Sequence, residues 1–66
     1  MKIKVNGYEK EFTDSQNLKQ VITLSCKNTN HIIAEVNGEI IKANMWHSIA
    51  LNNGDRVELV SFVGGG

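Results

Sequence analysis

Apolar and polar residues alternate in the first twelve positions of the chain. Ile3 and Val5 alternate with lysines, and after an Asn-Gly pair at 6–7 the alternation resumes from Tyr8 to Phe12. A period of two residues is typical of a β-strand with one buried face. Because Asn-Gly tolerates the positive φ angles of a type I′ turn, the pattern predicts a β-hairpin.

The next segment changes to helical spacing. Leu18, Val21 and Ile22 fall on one side of a helix and follow a polar run. With Asn17 as the N-cap, Gln20 occupies the third helical position, as in a capping box. We expect a short helix that begins near Asn17 and lays its apolar stripe on a sheet.

The second half of the chain has the periodicity of strands. Residues 32–36 alternate, and a second Asn-Gly at 37–38 leads into a short strand at 39–41. A turn at 52–55 precedes a final alternating strand over 56–62. The order is therefore strand, strand, helix, strand, short strand, strand.

This order predicts an α+β protein with the β-grasp fold. We expect a mixed sheet of four to five strands, with the first and last strands adjacent at its centre and the helix across one face. The domain is predicted to span 1–63, and a flexible glycine tail 64–66. The predicted core consists of apolar residues from every element except the short strand: Ile3, Val5, Phe12, Leu18, Val21, Ile22, Ala34, Val36, Val57 and Leu59.

The parity of the last strand indicates a partner surface. If Val57 and Leu59 point at the helix, the alternate residues point at water. Single exposed apolar residues are common, but an apolar patch that leads into the tail is typical of an interface. The expected partner-binding residues are Ile33, Glu58, Val60, Phe62, Val63 and Gly64.

Size and charge narrow the classes of function. A chain of 66 residues holds one thin core, which favours a carrier or binding module over an enzyme with its own active site. Seven basic and seven acidic side chains cancel without forming a block of like charge, so no nucleic-acid partner is expected. The N-terminus lacks the continuous apolar stretch of a signal peptide or membrane helix, so we expect a cytoplasmic protein with no membrane partner.

Few side chains suggest chemistry of their own. Cys26 is the single cysteine, which excludes an internal disulfide or a thiolate cluster within one chain, and we expect it to be a packing residue. His31 and His47 lack the further ligands that a metal site needs. Trp46 is expected in the core or at its edge, because so small a domain needs its one large aromatic side chain there.

The glycines at 64–66 are the candidate chemical site. They have no side chains to pack and lose the most entropy on ordering, so they should project and present a carboxylate to another protein. Such a carboxylate becomes reactive only after activation, typically by adenylation. A glycine tail alone is a weak signal, because termini are often disordered and glycines often remain from cloning.

Several short motifs in order give the chain a family resemblance. They are Val5-Asn6-Gly7, the run from Val36 to Ile41, Trp46, Asn53-Gly54-Asp55 with Val57, and Gly65-Gly66. Over essentially its whole length the chain resembles the ThiS family of thiamine-biosynthesis sulfur carriers, which is related to the small subunit of molybdopterin synthase and more distantly to ubiquitin.

The resemblance implies a reaction at Gly66, with Gly65 beside it. An E1-like adenylating enzyme of the ThiF type would use ATP and magnesium to convert the Gly66 carboxylate to an acyl-adenylate. Sulfur that comes ultimately from cysteine, through a sulfur donor system, would displace AMP. The thiocarboxylate would then pass to a thiazole synthase of the ThiG type. ATP is expected on the enzyme, because this chain has no Walker-type loop, and no cofactor is expected on the chain itself.

One site departs from the family pattern, and three rival functions stay open. Lys42-Ala43 stands where family members often carry Pro-Arg, so the cation is shifted and the rigidity of proline is lost. Relatives vary at the position of Gly64, which adds flexibility before the reactive pair. The rivals are a molybdopterin-synthase sulfur carrier, a ubiquitin-like protein modifier that forms amides with lysines, and a β-grasp binding module without terminal chemistry.

Overall fold

The computed structural model describes residues 1–62; residues 63–66 lie outside that range. It contains five strands, one α-helix and one 3₁₀ helix. In chain order these are β1 (Lys2–Val5), β2 (Tyr8–Glu11), α1 (Leu18–Ser25), β3 (Ile32–Val36), β4 (Glu39–Ile41), the 3₁₀ helix (Ala43–Ser48) and β5 (Arg56–Ser61).

The strands form one mixed sheet in the order β2-β1-β5-β3-β4. The central pair, β1 and β5, is parallel, and each of the other neighbouring pairs is antiparallel. The first and last strands therefore lie side by side at the centre, as the β-grasp fold requires. The fold class predicted from the sequence is confirmed for residues 1–62; the predicted diglycine tail lies beyond them.

Both Asn-Gly pairs form the predicted tight turns. Asn6 and Gly7 have φ angles of 53° and 83°, and Asn37 and Gly38 have φ angles of 52° and 87°. A type I′ turn needs positive φ at both central residues, which asparagine and glycine adopt at low cost. The two turns connect β1 to β2 and β3 to β4.

The start of α1 is capped as its sequence indicates. The Asn17 side chain accepts a hydrogen bond from the backbone N–H of Gln20, and the Gln20 side chain accepts one from the backbone N–H of Asn17, each at 2.8 Å. This reciprocal capping box satisfies two backbone donors that a helix start leaves free. At the other end Cys26 is the C-cap residue, half-buried against the core.

The core lies between α1 and one face of the sheet. Its buried apolar residues are Ile3, Val5, Leu18, Val21, Ile22, Ala34, Trp46, Leu51, Val57 and Leu59. Trp46 is buried, as expected. Among residues 1–62 no helix is both long and apolar enough to cross a membrane.

Two of the predicted core residues are only half-buried, and one buried residue was missed. Phe12 follows the edge strand β2 and Val36 ends β3, and both pack against the core from its margin. An eight-residue helix is about 12 Å long, whereas five strands span about 19 Å from the first to the last. The helix therefore leaves the margins of the sheet partly uncovered. Leu51 is buried because its backbone N–H donates to the Gln16 carbonyl at 3.0 Å, which draws the segment before β5 against the helix start.

Candidate functional site: the open face of the sheet

The side chains of β5 alternate between the core and the open face of the sheet. Val57 and Leu59 are 0% and 9% exposed, whereas Val60 and Phe62 are 51% and 42% exposed. Glu58 is exposed as well. The alternation expected from the sequence is therefore observed, and it places two large apolar side chains in water.

Three apolar side chains form a patch at the end of this face. Ile33 on β3 lies directly opposite Val60 on β5 and is 40% exposed. One step further along, the Phe62 backbone N–H donates to the His31 carbonyl at 2.9 Å. The His31 and Phe62 rings meet edge to face, with centroids 5.5 Å apart. We call Ile33, Val60 and Phe62 the apolar patch; His31 forms its border.

Charged residues cover the rest of the open face beside β5. Glu58 lies opposite Glu35 on β3, and Arg56 lies opposite Lys4 on β1. Cross-strand partners share a face of the sheet, because side chains alternate along each strand. The face therefore changes along β5 from basic through acidic to apolar, and the apolar end is the one after which the glycines follow in the sequence.

The last residues of β5 extend beyond β1. β1 ends at Val5, where the chain reverses through the Asn6-Gly7 turn. The Leu59 backbone N–H donates to the Asn6 side-chain oxygen at 2.7 Å. From there to Phe62, the hydrogen bonds that the structure describes for the backbone of β5 run to β3 and the residue before it, His31. Val60 and Phe62 of the apolar patch thus lie at the end of β5, where the described hydrogen bonds of the strand run to the β3 side.

Val63, Gly64, Gly65 and Gly66, which the sequence assigned to partner binding and chemistry, fall outside the described range. The chain continues to them directly from Phe62. Four residues span at most about 14 Å when fully extended. A group at Gly66 is therefore within about that distance of Phe62.

The histidine, cysteine and acidic side chains that could hold a metal ion or act in catalysis do not come together in one site among residues 1–62. Among residues 1–62 there is no set of three or more histidine, cysteine, aspartate or glutamate side chains placed to hold a metal ion. His47 Nε2 and Ser48 Oγ lie 3.3 Å apart, but both residues are exposed neighbours on the 3₁₀ helix. His31 was not expected beside the apolar patch, because its place opposite Phe62 depends on the register between β3 and β5.

Fold and open face together define the class of protein. One helix on a five-stranded mixed sheet with a central parallel pair is the β-grasp of ubiquitin-like proteins. An exposed apolar patch at the strand end that continues into glycines is the feature of this face that suggests a partner.

The sequence profile of the ThiS family matches residues 3–66. The chain belongs to the ThiS family, which confirms the ThiS-type sulfur carrier expected from its motifs.

Solved structures of a ThiS thiamine biosynthesis protein from Geobacter metallireducens have the same fold. Its crystal structure superposes with a TM-score of 0.86 at 28% identity and covers 100% of both chains. Its solution structure gives a TM-score of 0.80 at 26% identity, covering 100% of this chain and 88% of that one.

Relatives by sequence include a longer protein and a short one. A thiazole synthase from Paramagnetospirillum magneticum is 32% identical over 66 residues, which are 100% of this chain and 20% of that protein. This chain thus spans one fifth of that relative's length. The uncharacterised protein ycf40 of Trieres chinensis is 32% identical over 62 residues, which are 94% of this chain and 85% of that protein.

Proposed function

We propose that this carrier transports sulfur for thiamine biosynthesis as a thiocarboxylate at Gly66. The observation that carries the proposal is the ThiS family match, which runs through Gly66 and so includes both terminal glycines. The apolar patch supports it, because it gives a partner a place to bind next to those glycines.

The proposed reaction begins with activation of the carboxylate. An oxygen of the Gly66 carboxylate attacks the α-phosphorus of ATP, and pyrophosphate leaves, giving an acyl-adenylate. Hydrosulfide then adds to the acyl carbon, AMP leaves with the former carboxylate oxygen, and the proton of the hydrosulfide is released. The product is a thiocarboxylate in which one oxygen has been replaced by sulfur. ATP and magnesium belong to an adenylating enzyme of the ThiF type, which supplies the catalytic groups.

The apolar patch is the proposed binding surface for that enzyme. Gly66 lies no more than about 14 Å along the chain from Phe62, so the enzyme must come close to the patch to react with the tail. Burial of Val60 and Phe62, which are 51% and 42% exposed in the free chain, would favour the complex through the hydrophobic effect. Glu58, Val63 and Gly64 are proposed to contact the enzyme on either side of these residues.

A thiazole synthase is the proposed acceptor of the sulfur. In the Paramagnetospirillum magneticum relative, sequence similar to this whole chain occupies a fifth of a protein named thiazole synthase. Physical linkage in one polypeptide raises the effective concentration of one part for the other, which suits a carrier and the enzyme that consumes its cargo.

Intact-mass spectrometry tests the proposal. The chain is incubated with ATP, magnesium, a ThiF-type enzyme and sulfide, beside a matched chain that lacks Gly66. We expect a mass gain equal to the exchange of one oxygen for sulfur in the full chain and no gain in the shortened one.

Two results would contradict the proposal. One is no mass gain with an enzyme that is active on another carrier. The other is the accumulation of amide conjugates with protein lysines in place of thiocarboxylate, which would indicate a protein modifier.

A further inference from the structure

Asn6 forms two hydrogen bonds to the backbone of β5. Its backbone N–H donates to the Val57 carbonyl at 2.9 Å. Its side-chain Oδ1 accepts from the Leu59 backbone N–H at 2.7 Å, across 53 positions of sequence. The side-chain oxygen thus replaces the strand carbonyl that β1 no longer supplies, since the chain reverses at Asn6 with a φ of 53°.

The hydrogen bond at Leu59 is placed where β5 loses one of its neighbours. Within residues 1–62 it is the last hydrogen bond that β5 receives from the β1 side. The next residue, Val60, belongs to the apolar patch, and the strand then continues to Phe62 with its hydrogen bonds on the β3 side. The bond from Asn6 therefore helps set the direction in which residues 60–62 leave the sheet.

Asn37 also forms two hydrogen bonds to the backbone of β5, at the beginning of that strand. It occupies the equivalent position of the other Asn-Gly turn, and its Oδ1 accepts from the Arg56 backbone N–H at 2.9 Å. Its backbone N–H donates to the Arg56 carbonyl at 2.8 Å. A glycine would also form such a turn but would provide no side-chain acceptor. Each asparagine thus joins a turn to β5, one near the tail and one far from it.

We infer that Asn6 is a positioning residue for the reaction at Gly66. By holding the Leu59 N–H it fixes the end of β5, and with it the starting point of the four residues that follow Phe62. The inference rests on the proposed function. A misplacement of about 1 Å at a reacting group can lower a rate by as much as ~100-fold. Because Leu59 lies seven residues before Gly66, we expect a smaller effect from this hydrogen bond.

Three variants test the inference. Asn6→Gly keeps the turn and removes the side-chain acceptor. Asn37→Gly removes the equivalent acceptor at the far end of β5, together with the bond that Asn37 Nδ2 donates to Asp55 Oδ1 at 3.0 Å. Asn6→Asp keeps an oxygen acceptor at position 6 and tolerates positive φ. Each full-length chain is assayed as a substrate of the ThiF-type enzyme, with ATP, magnesium and sulfide present and the concentration of the chain varied. The temperature is one at which circular dichroism shows that the chain is folded. Exchange of the Leu59 amide with deuterium is followed by NMR on the same variants.

We expect Asn6→Gly to lower kcat for thiocarboxylate formation by about five- to tenfold with KM within about twofold. Asn37→Gly should leave kcat near that of the unchanged chain, and Asn6→Asp should recover most of the loss. Exchange of the Leu59 amide should accelerate in Asn6→Gly and not in Asn37→Gly.

Other outcomes overturn the inference. Equal kcat values for the two glycine variants, or no recovery in Asn6→Asp, would show a merely structural role. A rise in KM alone would show that Asn6 affects binding of the enzyme and not the reaction at Gly66. Unchanged exchange at Leu59 in Asn6→Gly would show that the hydrogen bond does not protect that amide. If the unchanged chain forms no thiocarboxylate, the proposed function is refuted and the positional role with it. If the unchanged chain reacts but the two glycine variants have equal kcat values, only the positional role is refuted.

Discussion

At the scale of single residues, Trp46 joins parts of the molecule that are distant in sequence. Its side chain is 3% exposed, and its indole N–H donates to the Ile41 carbonyl at the end of β4, at 3.0 Å. The Lys19 ammonium lies 5.9 Å from the centre of the ring, on the side of α1. One aromatic side chain therefore connects the 3₁₀ helix to both the sheet and α1.

Replacing this indole should weaken the fold measurably. Trp46→Phe leaves a cavity and removes the donor to the Ile41 carbonyl, so we expect the free energy of unfolding to fall by about 1–3 kcal/mol. Urea unfolding followed by circular dichroism measures the change.

Lys19→Met is the control for the indole variant, because it removes only the cation over the ring. Its expected cost is about 0.5 kcal/mol or less at this exposed position. A Trp46→Phe chain as stable as the unchanged protein would show that the indole is not an anchor of the core.

At the scale of elements, α1 depends on its surroundings. A helix of eight residues is too short to persist alone in water, because nucleation is costly and few bonds follow it. It is held by its capping box and by Leu18, Val21 and Ile22, which are fully buried against the sheet. The helix in turn covers the centre of the sheet, including Val57 of β5.

Removing the helix cap should destabilise the domain by about the free energy that one capping hydrogen bond contributes. Asn17→Ala frees the Gln20 backbone N–H from its partner, and we expect a loss of about 1 kcal/mol in the free energy of unfolding. Gln20→Ala should cost less, because glutamine and alanine are both good helix formers. The double variant should cost less than the sum, because both bonds belong to one box.

Thr23→Ala is the matched control within the same helix. The Thr23 hydroxyl donates to the Lys19 carbonyl at 2.9 Å from an exposed position, and its loss should be neutral or slightly stabilising, since alanine favours the helix. Strict additivity of Asn17→Ala and Gln20→Ala would contradict a cooperative box.

At the scale of the whole molecule, the two faces of the sheet have separate tasks. One face packs against α1 and forms the core. The open face bears charge beside the apolar patch and leads to the glycines. Because one face alone holds the fold together, the other face is free to differ in polarity and to bind.

This separation predicts that docking can be damaged without unfolding. Val60→Asp and Phe62→Asp each place a charge in the apolar patch, and we expect the Kd for the ThiF-type enzyme to rise about tenfold or more, which corresponds to about 1.4 kcal/mol. Isothermal titration calorimetry measures the Kd, and urea unfolding measures stability, which should change little at these exposed sites.

Leu24→Asp is the matched control for the patch variants. Leu24 is 70% exposed on α1, on the opposite side of the sheet, so the same type of change should leave the Kd unaltered. Equal weakening by all three variants would indicate a nonspecific effect of charge, and unfolding of Val60→Asp would contradict the assignment of Val60 to the open face.

Much of the fold could be predicted from local patterns. Asn-Gly at 6–7 and 37–38 dictated the two turns, because few residue pairs accept two successive positive φ angles. Asn17 and Gln20 indicated the helix start, since a cap acts over three residues. The alternation in β5 separated Val57 and Leu59 from the open face, because side chains of a strand have a period of two.

Tertiary structure decided the contacts that depend on strand register and on where one strand extends beyond its neighbour. The sequence by itself determined the turns, the helix cap, the face of each β5 side chain and the family motifs, all of which follow from short-range geometry or from residues in order. The meeting of His31 with Phe62, the burial of Leu51 and the bond from Asn6 to Leu59 join segments that no local pattern relates. The contacts of His31 and Asn6 arise only when β5 enters between β1 and β3. That pairing sets which residue lies opposite Phe62, and it leaves a backbone donor at the end of β5 that needs a side chain as its partner. Leu51 is buried because a backbone hydrogen bond joins its segment to the helix start.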